Sequence, residues 1–429
     1  MFEKLKKIWA LKPLRNSIGY VVLMLTLFRL LAHVPVPGID AAALQSLLSG
    51  SQFLGLLNIF SGGTLESFSV VALGVAPFIT SSIIFQLLVM VIPALQRWQK
   101  DGGEAGRQKL NQITRWVSVP LAALQAYGFI ALISQGGGQA GTSFALILTG
   151  FSLFMAILVM TAGSVFLMWI GELMTERGIG NGLSILILSG IVAGFPRFIQ
   201  QSIATFDQSR IVSLVVFLVM AIATVVVVTI INEAVRNIPV NYARHHEAGR
   251  LSRGVATQLP LRVSMAGVIP IIFAISVVLF PTMIAQFFVG ARSVFLADAA
   301  RWVIETLANQ WIYGILYFVL VFAFTYFYTG VIFRPNEMAE NLQKQGAFIP
   351  GVRPGEPTER YLAQTMNKIL LLGATFLAGI AVLPVAMQPL TGSQSLVVGG
   401  TSLLIIVAVI IDVIKQTEAQ IVSYEYEQL

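Results

Sequence analysis

The sequence predicts an all-α membrane protein with ten transmembrane helices in two inverted five-helix halves and a short apolar element on the outer side. Three observations carry that expectation. Ten long apolar stretches run along the chain, basic residues crowd into alternate connections between them, and one further apolar piece is too short to cross. Of 429 residues, 56% are hydrophobic and 11% charged, against roughly 25% charged in a soluble domain. The stretches are 17–34, 69–93, 117–134, 144–171, 183–201, 211–232, 264–289, 311–333, 369–390 and 396–414. Each is close to the ~20 apolar residues that a spanning helix needs.

Charge orients the set. All but five of the 27 Lys and Arg residues fall in the N-terminus, near 97–115, around 236–262, within 334–368, or at Arg177 and Lys415. The exceptions, Arg29, Arg197, Arg210, Arg292 and Arg301, belong to the opposite loops. Positive charge resists export, so the basic side is cytoplasmic and both termini lie there. Asp40, Glu66, Asp207, Asp298 and Glu305 balance the opposite side, so the whole net charge of +7 is cytoplasmic. Basic residues spread over several segments point to anionic lipid and cytosolic partners rather than to nucleic acid.

The first span follows a basic N-terminus and imitates a signal peptide. No small-residue cleavage site precedes His33 and Arg29 interrupts the run, so it reads as a retained helix. Phe53 to Phe60 is apolar but too short to cross as helix, and Ser61, Gly62, Gly63 and Thr64 break it. Two readings stand for this piece, a re-entrant or plugging element and an interfacial helix at the outer surface. The span 69–93 carries Thr80, Ser81, Ser82 and Gln86. Small hydroxyls suit helix packing, whereas Gln86 is costlier to bury and belongs at a seam or an aqueous cavity.

The connection 135–143 is an uncharged, Gly-rich turn. Five spans precede the loop at 201–210 and five follow it. An odd number per half makes the second half run opposite to the first, dividing the chain into 1–205 and 206–429. Two cytoplasmic loops, 233–263 and 334–368, are long and polar, a length usually kept for function. Pro350, Pro354 and Pro357 stiffen the tip of the second, which suits docking.

The spans are poor in the groups that other functions require. Without cysteine there is no disulfide, thiolate metal site or cysteine nucleophile. The interiors of the spans hold almost none of the ionisable side chains that ion-coupled carriers need near the midplane, and Glu172, Glu233 and Asp412 fall at cytoplasmic helix ends. No H-E-x-x-H and no phosphate-cradling Gly-rich loop occurs, so neither metal nor nucleotide cofactor is expected. What remains is an apolar pathway driven by something else. A carrier of small amphipathic solutes would need a midplane carboxylate; a mere scaffold would need no apolar waist.

Six blocks in order carry a family resemblance. They are Pro35–Asp40 with Phe60–Gly63, GVAPFITSSIIFQLL (Gly74 to Leu88), WIGELMTERGIGNGLS (Trp169 to Ser184), AGVIPIIFA (Ala266 to Ala274), GAFIPGVRPGE (Gly346 to Glu356) and GGTSLL (Gly399 to Leu404). The chain resembles the SecY family, the channel subunits of the bacterial protein-export translocon, from its first span to its last. The resemblance implies a non-enzymatic, protein-conducting channel in the plasma membrane. Unfolded chains would cross it and membrane segments would leave sideways.

It also implies a clamshell of ten helices with a re-entrant plug helix over about 53–66, including Leu57, Asn58, Ile59, Phe60, Ser61, Gly62, Gly63, Thr64 and Leu65. An apolar pore ring would fall on Val75, Ile79, Leu183, Ile187, Ile272 and Ile405. Val75 and Leu183 depart from the isoleucine common in the family and keep its apolar chemistry. Such a ring excludes ions by dewetting, yet yields to a polypeptide because its side chains hold no fixed hydrogen bonds. A lateral gate would open between 69–93 and 264–289, with Thr80 and Gln86 as polar gate residues biasing it closed. Arg353, with Arg244, Arg250 and Arg253, would dock the ribosome and the SecA motor ATPase. SecE and SecG are the implied membrane subunits, and signal sequences and nascent polypeptides the clients.

Overall fold

The computed structural model describes residues 11–36, 61, 64–65, 67–100, 103–136, 150–178, 180–204, 211–242, 256–263, 265, 267, 269–289, 293–391 and 394–427. Every predicted span falls on a helix. In chain order these are α1 (Lys12–Ala32), α2 (Ala76–Val91), α4 (Gly103–Gly136), α5 (Phe151–Arg177), α6 (Gly182–Ala204), α7 (Ile211–Glu233), α8 (Ile269–Phe288), α10 (Gln310–Ile332), α12 (Glu356–Thr391) and α13 (Gln394–Glu427). Shorter helices α3 (Pro93–Lys100), α9 (Val294–Ala308) and α11 (Pro335–Lys344) lie between them. Among the described residues, α1, α5, α10 with α11, and Glu356–Leu383 of α12 are long and apolar enough to cross a membrane. Shorter apolar helices lie within α2, α6, α7 and α8. The protein is a multi-pass membrane protein.

The boundaries correct the predicted spans in four places. The span 69–93 becomes helix only at Ala76, because Gly74 takes a left-handed φ of 58° and Pro77 then opens the first turn. The span 264–289 likewise starts late, at Ile269, beyond Gly267 at φ 58°. The last two spans sit inside helices that run far past them, so Asp412 lies within α13 instead of at a helix end. Arg29 is not in an outer loop. It sits in the last turn of α1, where its guanidinium donates to the Ser189 carbonyl of α6 and lies 5.1 Å from the Phe28 ring.

The all-α expectation also needs correction at the two long loops. The first contains strands β1 (Val235–Tyr242) and β2 (Ala256–Arg262), and β3 (Ala347–Phe348) comes from the second. They form one antiparallel sheet in the order β2–β1–β3, in register from Val235↔Arg262 to Asn241↔Ala256 and at Asn241↔Phe348. Ile238, Val240 and Leu261 point to one face and are buried against Phe333, Ala347, Ile349, Leu362 and Met366. The two loops thus make a single platform seated on the extended base of α12. Pro239 and Pro260 lie inside these strands and mask the alternating pattern in the sequence.

One group of helices, α1, α2, α4, α5 and α6, packs together, and so does a second, α7, α8, α10, α12 and α13. Between these groups the main contacts run from α8 to α2 and α4 on one side, and from α13 to α6 on the other. Leu14 near the start of α1 and Ile421 near the end of α13 are buried together, so the two terminal helices finish on one side of the protein.

Candidate functional site

The residues predicted to form the ring come from four of the helices that meet across the two groups, α2, α6, α8 and α13. Val75 is the residue before α2, and Ile79 donates its N–H to the Val75 carbonyl at 3.1 Å, which sets both on one face. Asn181 starts α6, its side-chain oxygen accepting from the N–H groups of Leu183 (3.1 Å) and Ser184 (3.3 Å). That cap fixes the register carrying Leu183 and Ile187. Ile272 lies in the first turn of α8 and Ile405 in α13.

Val75, Ile79, Ile187, Ile272 and Ile405 are all buried in the same apolar cluster, the largest in the molecule. The cluster extends well beyond these five. Leu183 is only partly buried and packs on its edge. Its Cδ2 stands 2.6 Å from where a Cβ on Gly171 would fall, so it is seated against α5, and only glycine leaves it that room.

The proposed gate helices, α2 and α8, are in direct contact. Among the described residues, neither polar side chain bonds across that contact. Thr80 donates to the Ala76 carbonyl (3.0 Å) and receives a long 3.5 Å contact from Gln125 of α4. Gln86 donates to Ser82 within its own helix (3.1 Å), while its buried Oε1 has no partner among the described residues.

Of the proposed plug, Leu57, Asn58, Ile59, Phe60, Gly62 and Gly63 lie outside the described residues. Ser61, Thr64 and Leu65 are buried. With the described residues from Ser67 to Val75 they make a largely buried, non-helical segment, and such backbone survives in a membrane protein only when its polar groups are met. Here they are. Val36 donates to Phe68 (2.9 Å) and Val70 to Val34 (2.9 Å). The Ser67 hydroxyl bonds the Ala32 carbonyl (2.8 Å), that of Thr64 the Val71 carbonyl (2.9 Å), and that of Ser164 the Gly74 carbonyl (2.9 Å).

A Cβ on Gly163 would fall 2.1 Å from the Val70 carbonyl oxygen, so α5 approaches this stretch backbone to backbone. Phe68 adopts φ 41°, a left-handed conformation costly for an aromatic residue, and stacks on Phe129 at 5.6 Å. None of this anchor was foreseen. Its one sequence signal is the small-residue run Ala162–Gly163–Ser164 inside an apolar span, a mark of close approach.

Arg244, Arg250 and Arg253 lie outside the described residues. Arg353 is exposed on the tip between β3 and α12. Its backbone is fixed: its carbonyl accepts from the buried Thr358 hydroxyl at 2.8 Å, and Gly351 and Gly355 take φ 82° and 94°. The guanidinium is therefore presented from a rigid base. Deeper on the same side, Arg115 pairs with Glu172 at 2.7 Å and Lys415 with Glu233 at 3.2 Å, tying α4 to α5 and α7 to α13. No group of side chains that could hold a metal occurs among the described residues.

Comparison with known proteins gives this geometry a family. The SecY family model matches residues 69–414. The protein translocase subunit SecY of Bacillus licheniformis is 41% identical over 437 residues, covering 99% of each chain. Among solved structures, a protein-conducting channel superposes with a TM-score of 0.67 at 18% identity, covering 94% of this chain and 92% of that one. A SecY whose plug domain is described as stabilising the closed state of the translocation channel superposes with a TM-score of 0.65 at 19% identity, with the same coverage. At those identities the superpositions speak for the fold, and the sequence match speaks for descent. This chain belongs to the SecY family.

Proposed function

We propose that this chain is the channel subunit of a protein translocase, not an enzyme, and that it works by parting an apolar waist. Unfolded secretory chains pass along its axis, and apolar segments leave sideways into lipid. The observation that carries this reading is the burial of Val75, Ile79, Ile187, Ile272 and Ile405 in one cluster built by helices that meet across the two groups. Leu183 completes the ring from its seat against α5. Side chains held only by apolar contact can slide apart and re-close, because no directional bond must break.

In this reading ten helices cross the bacterial plasma membrane as two inverted halves, 1–205 and 206–429. Both termini are cytoplasmic, which agrees with the pairing of Leu14 with Ile421. The plug, about 53–66, covers the outer side of the waist, held by the anchor at 64–75. The lateral gate is the α2–α8 seam. A segment leaving through it gains about 25 cal/mol per Å² of apolar surface removed from water.

Energy comes from outside, through the SecA motor or the ribosome docking on the sheet platform and on Arg353, helped by Arg244, Arg250 and Arg253. SecE and SecG are membrane partners, and anionic lipids meet the basic connections. The test is to stall a secretory chain in transit and cross-link it to positions 75, 79, 187 and 272. Adducts at all four are expected. A chain that labels none of them passes elsewhere.

A further inference from the structure

A second feature lies on the cytoplasmic side of the proposed ring and rests on the channel reading. A cavity of about 270 Å³ opens between α7, α8, α10, α13 and the end of β2. Its polar lining is Asn232, Arg262, Tyr328, Asp412 and Lys415. Asp412 is seven residues beyond Ile405 on α13, two turns and about 10 Å along the same face. Ile269, also in the lining, is one turn before Ile272 on α8. The cavity therefore sits directly under two ring residues and is walled by the same two helices.

The charges in it are arranged unusually. Asp412 feels both Arg262 and Lys415 electrostatically, yet pairs directly with neither. Lys415 is already engaged, by Glu233 at 3.2 Å and the Asn232 carbonyl. The cavity thus presents a carboxylate on α13 and a guanidinium at the end of β2, both exposed and not paired with each other. It shares α8 and α13 with the proposed waist, and its charges lie within reach of a side chain approaching that waist from this side.

We propose that the cavity is a mixed-charge collar for the translocating polypeptide, Asp412 receiving lysine and arginine side chains and Arg262 receiving carboxylates just before they enter the waist. The experiment uses the full chain assembled in membrane vesicles. Two stalled secretory clients carry a photoreactive residue beside either lysine or glutamate, placed to reach the collar. Asp412→Asn is expected to lower collar labelling by the lysine client about fivefold and leave the glutamate client unchanged, with Arg262→Gln doing the reverse.

Equal losses for both clients would show a structural role and overturn the collar. So would labelling that follows the lipid headgroup instead of client charge. Adducts at Ile405 with none at the collar would sink this inference while leaving the waist standing. Absence of adducts at both would remove the channel reading, and the collar with it.

Discussion

The proposed waist and the sheet platform are held together in opposite ways. At the proposed waist, five buried side chains from four separate helices belong to one apolar cluster. In the platform, β1 is locked between β2 and β3 by ladder hydrogen bonds, and its apolar underside is pinned to Leu362 and Met366 of α12. Apolar contact is non-directional and can be remade after sliding, whereas a displaced ladder leaves unpaired backbone groups. One region is built to yield and the other to transmit position. A channel worked from its cytoplasmic side needs both, because a soft platform would absorb the push meant for the gate.

The largest expected effect comes from breaking the waist. Replacing Ile79 and Ile187 by Asn puts polar side chains into the cluster and wets it. Ion conductance in planar bilayers should rise about tenfold or more, since a hydrophobic constriction seals by excluding water. Replacement of the same pair by Val keeps the surface apolar and should hold the seal. Unchanged conductance in the Asn pair would remove these residues from the ring.

That test also measures how much could be read from sequence. Helix positions were legible because a bilayer forces ~20-residue apolar runs. Ile79 and Ile187 could be placed on faces from the spacing of Val75 and Leu183, although Leu183 turned out to lean on Gly171. Where backbone departs from helix, pattern failed. Strand β1 reads V-R-N-I-P-V-N-Y, with a proline in the middle of the alternation. The anchor at 64–75 is held by bonds such as Ser164 to Gly74, ninety residues apart in the chain, which no local window contains. Asp412 was read as a helix end because the apolar run stops near it, whereas α13 continues to Glu427.

The platform should fail differently. Leu261 is 1% exposed on the underside of the sheet. Leu261→Asp buries a carboxylate among apolar side chains and should cost about 3 kcal/mol or more, seen as a lower Tm of the purified protein. Ion conductance should stay near that of the parent if platform and waist are separate. Arg353→Glu probes the same region without breaking it, because the tip is held by the backbone bond to Thr358 and not by the guanidinium. Motor-driven export should fall several-fold while Tm moves by no more than about 0.5 kcal/mol equivalent, as for an ordinary surface change. Loss of folded protein would instead make Arg353 structural.

The smallest effect concerns the proposed seam, where the bonding of Gln86 suggests the opposite sign to the one expected. Gln86 lies on the α2 stripe that includes Ile79 and Ile83, and it was expected to hold the gate shut by bonding across it. Instead its amide nitrogen is spent on Ser82 and its buried oxygen finds no donor among the described residues. A buried acceptor without a donor costs about 1–3 kcal/mol, less within a membrane where partners exchange. That cost is present when the seam is closed and relieved when opening admits water or a client's N–H. On the proposed gate reading, Gln86 favours opening. Gln86→Leu should stabilise the closed seam by about 1 kcal/mol, and export of clients with weakly apolar signal sequences should drop about fivefold. Clients with strongly apolar signals, which have binding energy to spare, should change little. Faster export of the weak clients would return Gln86 to the role of a closing bond.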